Sequence, residues 1–399
     1  MAILGVWMWP QSVQIHGAKK TVEYCVRAGV TDIYFLAKGL AGTTAHLGAI
    51  APACCDRDLL GELLSAAHAR GVRVHAWLTS ASDEHYKQLH PESGRCHYTR
   101  GKDKGLITLT DEGYMSYMEH VISELCQRDI DGLHLDYIRY NHLLYGWDES
   151  DLRRYAQAGA DIGRLRALMD AAYCTGQQGD PTPLFDAYRA GDESALAFAR
   201  TRRQDVARFA RRMIAAAKAA RSGLVLSAAL MPEGAYADTT FSDLHYGQNY
   251  EDAAALYDFA LPMAYSNAYG KDGAWVRTVA EGTLARGLKT IVGLHAYEGG
   301  TGSSLQADIA ALADTPVDGI CLFREGAFAM AFAAGRTLSL YNPTAEPITR
   351  IIASCGDACI ACEQVIPAGD EQRLALPFTA ECMRAFAGDK EICVHLTAE

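Results

Sequence analysis

Residues 131–140 read Asp-Gly-Leu-His-Leu-Asp-Tyr-Ile-Arg-Tyr. Side chains alternate faces along a strand, so His134 and Asp136 share one face while Leu133, Leu135 and Tyr137 share the other. The second face suits packing against helices. The first puts a carboxylate at the carboxyl end of the strand, with an imidazole one layer below it. A carboxylate buried in a strand is costly unless it is paired or used. In α/β barrels such strand ends deliver the active-site groups. Asp136 is therefore the first catalytic candidate. The competing reading is a structural carboxylate tied to Arg139 or a backbone amide.

Seven more apolar runs flank this one: Ile3–Trp9, Asp32–Ala37 and Arg73–Leu78 before it, then Leu224–Leu230, Phe259–Tyr265, Thr290–Ala296 and Gly319–Phe323. Most are continuous rather than alternating, as parallel strands buried on both faces are. Helical patterns fall between them at Lys19–Ala28, Asp58–Arg70, Asp111–Gln127, Arg202–Ala220, Tyr250–Leu256 and Gly273–Arg286. Gly29 and Gly71 stand where helices commonly stop. Eight strand–helix units predict an α/β fold, a (β/α)8 TIM barrel over residues 1–335.

Residues 141–223 separate the fourth and fifth strands, against roughly 30 residues for one ordinary unit. A helical insertion is expected at about 141–200, with helices at Leu152–Tyr173, Leu184–Ala190 and Glu193–Arg200 and a turn at Gly176–Pro183. It should fold over the carboxyl-end rim and narrow one side of the cleft. Beyond Arg336, short strand patterns at Leu338–Tyr341, Ile348–Ser354, Cys362–Ile366, Gln372–Leu376 and Glu391–Leu396 predict a small C-terminal β domain, 336–399.

Composition narrows the function classes. Of 399 residues, 49% are hydrophobic and 21% charged, which excludes disorder. The net charge of −11 argues against nucleic-acid or anionic-membrane partners. The basic stretch Arg202–Arg221 reads as the solvated face of a barrel helix. No apolar run reaches the roughly 18 residues of a membrane span. The start, MAILGVWMWP, reads as a first strand rather than a signal peptide, and twelve cysteines read as free thiols, so a cytoplasmic location is expected. Cys355, Cys359 and Cys362 copy the spacing of an iron–sulfur loop, but outside its usual place after a first barrel strand. Buried thiols, no metal and no cofactor are expected.

Sugars present apolar C–H faces and many hydroxyls, so a carbohydrate cleft needs aromatic rings and polar groups together. The strand ends supply Trp7, Trp77, Tyr140 and Tyr265, with Lys38, His75, His134, Arg139, His295 and Arg324. Glycoside hydrolysis usually takes two carboxyl groups. Glu233, after the neighbouring fifth strand, is the preferred partner of Asp136; Glu298 is the alternative, and Glu325 ranks behind both.

The run Asp131–Tyr140 resembles the fourth-strand signature of the glycosyl-hydrolase-like family 10 barrels, which include bacterial enzymes acting on peptidoglycan glycan strands. Leu106–Thr110 with the helix after it, the stretch Arg202–Phe209, and Asp258–Tyr265 resemble the same family. The likeness covers about residues 1–335. It implies a barrel and a glycan substrate. Family members often carry a second acid and a proline where this chain has Tyr137 and Asn141. Chitinases, with DxxDxDxE, are similar more distantly: Asp131 and Asp136 match two acids, His134 replaces another, and Ile138 stands at the catalytic glutamate.

Three functions stay open. The first is a glycoside hydrolase acting on an oligo- or polysaccharide, such as a bacterial cell-wall glycan. The second is a carbohydrate-binding barrel without chemistry, motivated by Tyr137 and Ile138. The third is a metal-dependent hydrolase using His75, His134, Asp136 and His295, against which the first strand reads Trp7-Met8-Trp9 with no His-x-His.

Overall fold

A computed structural model describes residues 3–173, 179–297 and 299–398. The alternative acid Glu298 and part of the expected turn at 176–183 lie outside the described residues. Eight parallel strands form one sheet: β1 Ile3–Met8, β2 Asp32–Lys38, β3 Arg73–Thr79, β4 Gly132–Asp136, β5 Val225–Leu230, β6 Phe259–Pro262, β7 Ile291–His295 and β8 Gly319–Phe323. Their order is β6-β5-β4-β3-β2-β1-β8-β7. The bridges Ala260–Thr290 and Met263–Gly293 join the two ends and all but close the barrel.

The strands are apolar on both faces because both are covered. Val6, Phe35, Val74, Leu133 and Leu135 face outward into the main core shared with the helices. Trp7, Tyr34, Trp77, Leu261, Ile291 and Cys321 fill the barrel interior. Glycines make room for the large interior rings. A Cβ on Gly132 would stand 2.2 Å from His75 Nδ1, and one on Gly293 would stand 2.8 Å from the Trp7 ring.

The surrounding helices include α1 Pro10–His16, α2 Ala18–Arg27, α3 Leu59–His68 and α4 Glu112–Cys126. Asp58 and Asp111 cap α3 and α4 by accepting from the backbone N–H three residues on. The insertion follows as α5 Glu149–Gln157, α6 Ile162–Tyr173, α7 Thr182–Arg189 and the first part of α8 Glu193–Ala220. Two boundaries differ from the sequence expectation. The helix expected over 152–173 is split at Gly159, whose φ is 104°. The two helices expected at 193–200 and 202–220 are one, because neither Gly nor Pro interrupts them. Trp147, Tyr155, Leu165, Met169, Leu184 and Phe198 give the insertion its own small core. The rest of α8 packs on the barrel through Phe209 and Met213.

A two-stranded hairpin, Gly94–His97 with Gly101–Ile107, stands between β3 and α4 and was not expected from the sequence. Its Arg95 is fully buried and donates to the carbonyl oxygens of Ile107 and Arg139 and to Asn141 Oδ1. Arg202 of α8, also fully buried, donates to the carbonyls of His142, Tyr145 and His245. Both guanidinium groups lie over the Tyr140 ring, at 5.1 and 3.8 Å from its centroid. The segment after Asp136 is thus clamped from two sides.

The C-terminal region holds β9 Ala329–Ala334, β10 Thr337–Tyr341, β11 Ile348–Cys355, β12 Ala358–Ile366, β13 Glu371–Ala375, β14 Cys382–Ala387, β15 Lys390–Ile392 and β16 Val394–Ala398. They form two four-stranded sheets, β13-β10-β9-β16 and β12-β11-β14-β15. Strand β9 lies on the barrel side of the expected boundary at Gly335. Its Met330 and Phe332 join the barrel core while Ala329, Ala331 and Ala333 join the β core. That division leaves no polar alternation to read in the sequence. Tyr24 of α2 stacks on Tyr341 at 3.5 Å, and Arg27 pairs with Glu371 at 3.0 Å, fixing the region to the barrel. The described cysteines are free, but Cys359 is exposed and Cys362 only half-buried, because β12 is a surface strand, and Cys355 at the end of β11 is half-buried too. Among the described residues no helix is long and apolar enough to cross a membrane.

Candidate active site

At the carboxyl ends of the strands lies a cavity of about 460 Å³. Trp7, Trp77, Tyr265 and Phe323 form much of its wall, with Trp9 beside them. Tyr265 and Phe323 stack at 5.5 Å, and Trp77 meets Phe323 edge-on at 6.2 Å. Asp136 is the acidic side chain in the described lining.

Three donors converge on Asp136. Oδ1 accepts from the Tyr137 backbone N–H at 2.6 Å and from Arg139 Nη1 at 3.0 Å. Oδ2 accepts from Trp77 Nε1 at 3.2 Å. An acceptor-only role is that of an ionised carboxylate. Tyr137 takes φ 58°, a conformation that L side chains rarely adopt. The turn carries Tyr137 into the cavity lining rather than onto the helix-facing side that strand alternation implies. Strain of this kind costs of order 1–3 kcal/mol and gathers at functional sites.

Below Asp136 lies a closed polar layer. His134 is fully buried; its Nε2 accepts from Trp7 Nε1 at 3.1 Å. An indole only donates, so His134 carries its proton on Nδ1 and donates it to Ser227 Oγ at 2.9 Å. Burial holds the His134 pKa well below the usual value, consistent with a neutral ring. His75 meets Asp32 Oδ1 at 2.8 Å and stacks on Tyr34 at 4.6 Å. These imidazoles support the cavity floor from inside the barrel.

Glu233 sits in the 3-10 turn Pro232–Ala235 after β5 and is 8% exposed. Its Oε1 accepts from the Tyr269 hydroxyl at 3.2 Å, and its Oε2 has no partner. Burial raises its pKa, offset in part by its own backbone N–H, by the Tyr269 and Tyr246 hydroxyls and by the charge of Arg139. Glu233 is not in the cavity lining; Arg139, which is, acts on both acids. Gln248 ties the two loops together: its amide donates to the Ile138 carbonyl at 3.1 Å and accepts from the Met231 N–H at 2.9 Å.

Of the residues expected in the cleft, Trp7, Trp77, Asp136, Arg139 and Tyr265 come together there. Lys38 is fully buried and paired with Asp83 at 2.9 Å. Tyr140 is buried with its hydroxyl on Asp205. His75 and His134 lie in the barrel interior, and His295 stacks on Tyr297 at 4.1 Å. Arg324 lies over Trp9, outside this lining. Glu325 is buried against Ser12 and Gly326, with its pKa raised to about 7 by burial. Among the described residues, none of 141–200 contributes to the lining. The cleft is walled instead by Gln11 and Gln14 of α1 and by Gly39, Leu40, Ala41, Thr43, Ala45 and Cys54 of the loop after β2. The length of that loop was the available signal: residues 39–58 far exceed the 2–6 residues usual between strand and helix.

The four groups of the metal reading do not form a ligand set: His134 spends both nitrogens inside the barrel. Among the described residues no group of three or more His, Cys, Asp or Glu is placed to hold a metal ion.

No family model matches the sequence. No curated protein matches it either. Solved structures do match in fold. The PgaB (BpsB) glycoside hydrolase domain from Bordetella bronchiseptica aligns with TM-score 0.62 and 14% identity over 82% of this chain and 94% of that one. The catalytic domain of β-amylase from Paenibacillus polymyxa aligns with TM-score 0.58 and 14% identity, over 81% and 92%. A β-galactosidase from the psychrophilic Marinomonas ef1 aligns with TM-score 0.59 and 12% identity, over 81% of this chain and 54% of that one. The chain has the barrel fold of these glycoside hydrolases.

Proposed function

We propose that the chain is a glycoside hydrolase acting on an oligo- or polysaccharide, with Asp136 as the charged carboxylate at the sugar and Glu233 as the proton donor. The observation that carries this reading is Asp136 itself. It is the acidic group of an aromatic cavity, and it is held by three donors at the end of β4. Carboxyl groups whose surroundings favour opposite protonation states divide acid and nucleophile roles between them. Asp136 is ringed by donors, whereas burial favours a protonated Glu233. Arg139 touches the first and feels the second, so a proton leaving Glu233 changes the field at Asp136. The aromatic walls suit the C–H faces of sugars. The solved glycosidases that share the fold support the class by analogy only. Within that class, the Asp131–Tyr140 resemblance favours a bacterial cell-wall glycan.

The test is to incubate the purified chain with a panel of polysaccharides, bacterial cell-wall glycan included, and to measure new reducing ends. Reducing ends that appear with wild type and vanish with Asp136→Asn support the reading. A second reading, a carbohydrate-binding barrel without chemistry, is favoured by the absence of Glu233 from the lining. Glycan binding without new reducing ends selects it.

A further inference from the structure

A second cavity, of about 210 Å³, opens where the barrel meets the C-terminal sheets. Tyr297 and Arg324, after β7 and β8, form one wall; Glu346, Lys390 and Glu391 form the other. It adjoins the Asp136 cavity through two ring contacts. The Arg324 guanidinium lies 3.6 Å over the centroid of Trp9, and Tyr297 meets Phe323 edge-on at 5.3 Å. Trp9 and Phe323 line the first cavity, and Arg324 and Tyr297 line the second.

The outer wall is built and rigid. Asn342 is fully buried and gathers the turn that carries Thr344 and Glu346. Its Nδ2 donates to the carbonyls of Glu346 at 2.8 Å and Ile366 at 3.0 Å, and its Oδ1 accepts from the N–H and the hydroxyl of Thr344. A pre-formed wall holds its polar groups in place before a ligand arrives. Those groups are mixed: two cations, Arg324 and Lys390, against two carboxylates, Glu346 and Glu391. Lys390 and Glu346 stand 3.9 Å apart. Glu391 is itself paired with Arg384 at 2.6 Å, and an ion of either sign would still meet groups of its own charge. A neutral polyhydroxyl compound would use both, giving hydrogen bonds to the carboxylates and taking them from the cations. The Tyr297 ring adds a face for sugar C–H groups.

We infer that this groove is a remote subsite for an uncharged stretch of the same glycan, crossing from the first cavity over the Trp9–Arg324 stack. The substrate is then a chain long enough to span both cavities, and the C-terminal region takes part in holding it. This rests on the carbohydrate reading of the Asp136 cavity.

The test uses the full chain carrying Asp136→Asn, to prevent turnover, titrated with ladders of cello-, manno-, xylo- and chito-oligosaccharides from two to eight units. For a ladder that binds, affinity rises about tenfold with length. Adding Glu346→Ala and Lys390→Ala, both at half-exposed positions, removes that rise while the melting temperature stays within about 1 °C. A rise that survives both changes overturns the subsite and leaves the carbohydrate reading standing. A flat length dependence in the Asp136→Asn chain itself does the same. No binding by any ladder removes the subsite and counts against the carbohydrate reading as well.

Discussion

Arg139 Nη1 stands 3.0 Å from Asp136 Oδ1, and the two side chains are 9% and 7% exposed. The pair lies within the cavity lining, so Asp136 is both paired and reachable. The pairing that the sequence offered as a structural alternative therefore coexists with access to the cavity. Arg139 is in turn held through its own backbone, whose carbonyl accepts from the buried Arg95.

Asp136→Asn keeps the shape and the acceptor for Arg139 but loses the charge. Turnover should fall by about 10²-fold or more, the scale of a lost acid–base or nucleophilic group. Oligosaccharide affinity should change far less, since the aromatic walls remain. Turnover, affinity and melting temperature are measured on one preparation. Near-normal turnover in a stable variant would remove Asp136 from the chemistry.

Trp77→Phe keeps an aromatic wall and deletes the Nε1–H that reaches Asp136 Oδ2. The carboxylate loses one of its three donors, a charge-assisted bond contributing about 1.5–3 kcal/mol. The expected result is a kcat reduced by about tenfold with KM changed less than threefold. A loss confined to KM would make Trp77 a sugar platform and nothing more.

The barrel was legible because continuous apolar strands, glycine stops and Asp caps all act locally; Asp58 and Asp111 cap the helices they precede in sequence. Asp136 was legible because strand alternation fixes its face. His134 and His75 sit on that same inward face, but alternation alone does not tell floor from mouth. Their partners, Trp7, Ser227 and Asp32, come from other strands, and sequence does not display such pairings. The described residues of the insertion, by contrast, line none of the cleft. The insertion begins five residues after Asp136, yet Arg202 and Arg95 clamp its root, and its helices pack on one another. The cleft wall fell instead to the unpatterned loop after β2.

Ser227→Ala tests whether His134 is a floor or a reagent. The change strands the buried Nδ1–H that Ser227 Oγ now accepts. An unsatisfied buried donor costs about 1–3 kcal/mol. The denaturation midpoint should drop accordingly, while turnover per folded molecule stays within about twofold. A large turnover loss at unchanged stability would move His134 into the mechanism.

Glu325 supplies a pH dependence with a definite sign. Burial raises its pKa from 4.5 to about 7, opposed by Ser12, Arg324 and the Gly326 backbone. Its Oε2 has no partner, and its charge adds to burial in raising the pKa of Cys25 and Tyr341. Between about pH 4.5 and 7 the folded chain keeps the proton and the unfolded chain has lost it. Folding then takes up a proton, so this group's contribution is full below about pH 4.5 and is lost as pH rises through about 7. The difference of about 2.5 units corresponds to about 3 kcal/mol at 1.36 kcal/mol per unit. Glu325→Gln has no proton to lose. Chemical denaturation at several pH values should show wild type losing stability relative to the variant across that window, with the gap constant above about pH 8. Parallel stability curves for the two proteins would mean that Glu325 titrates as an ordinary carboxyl despite its burial.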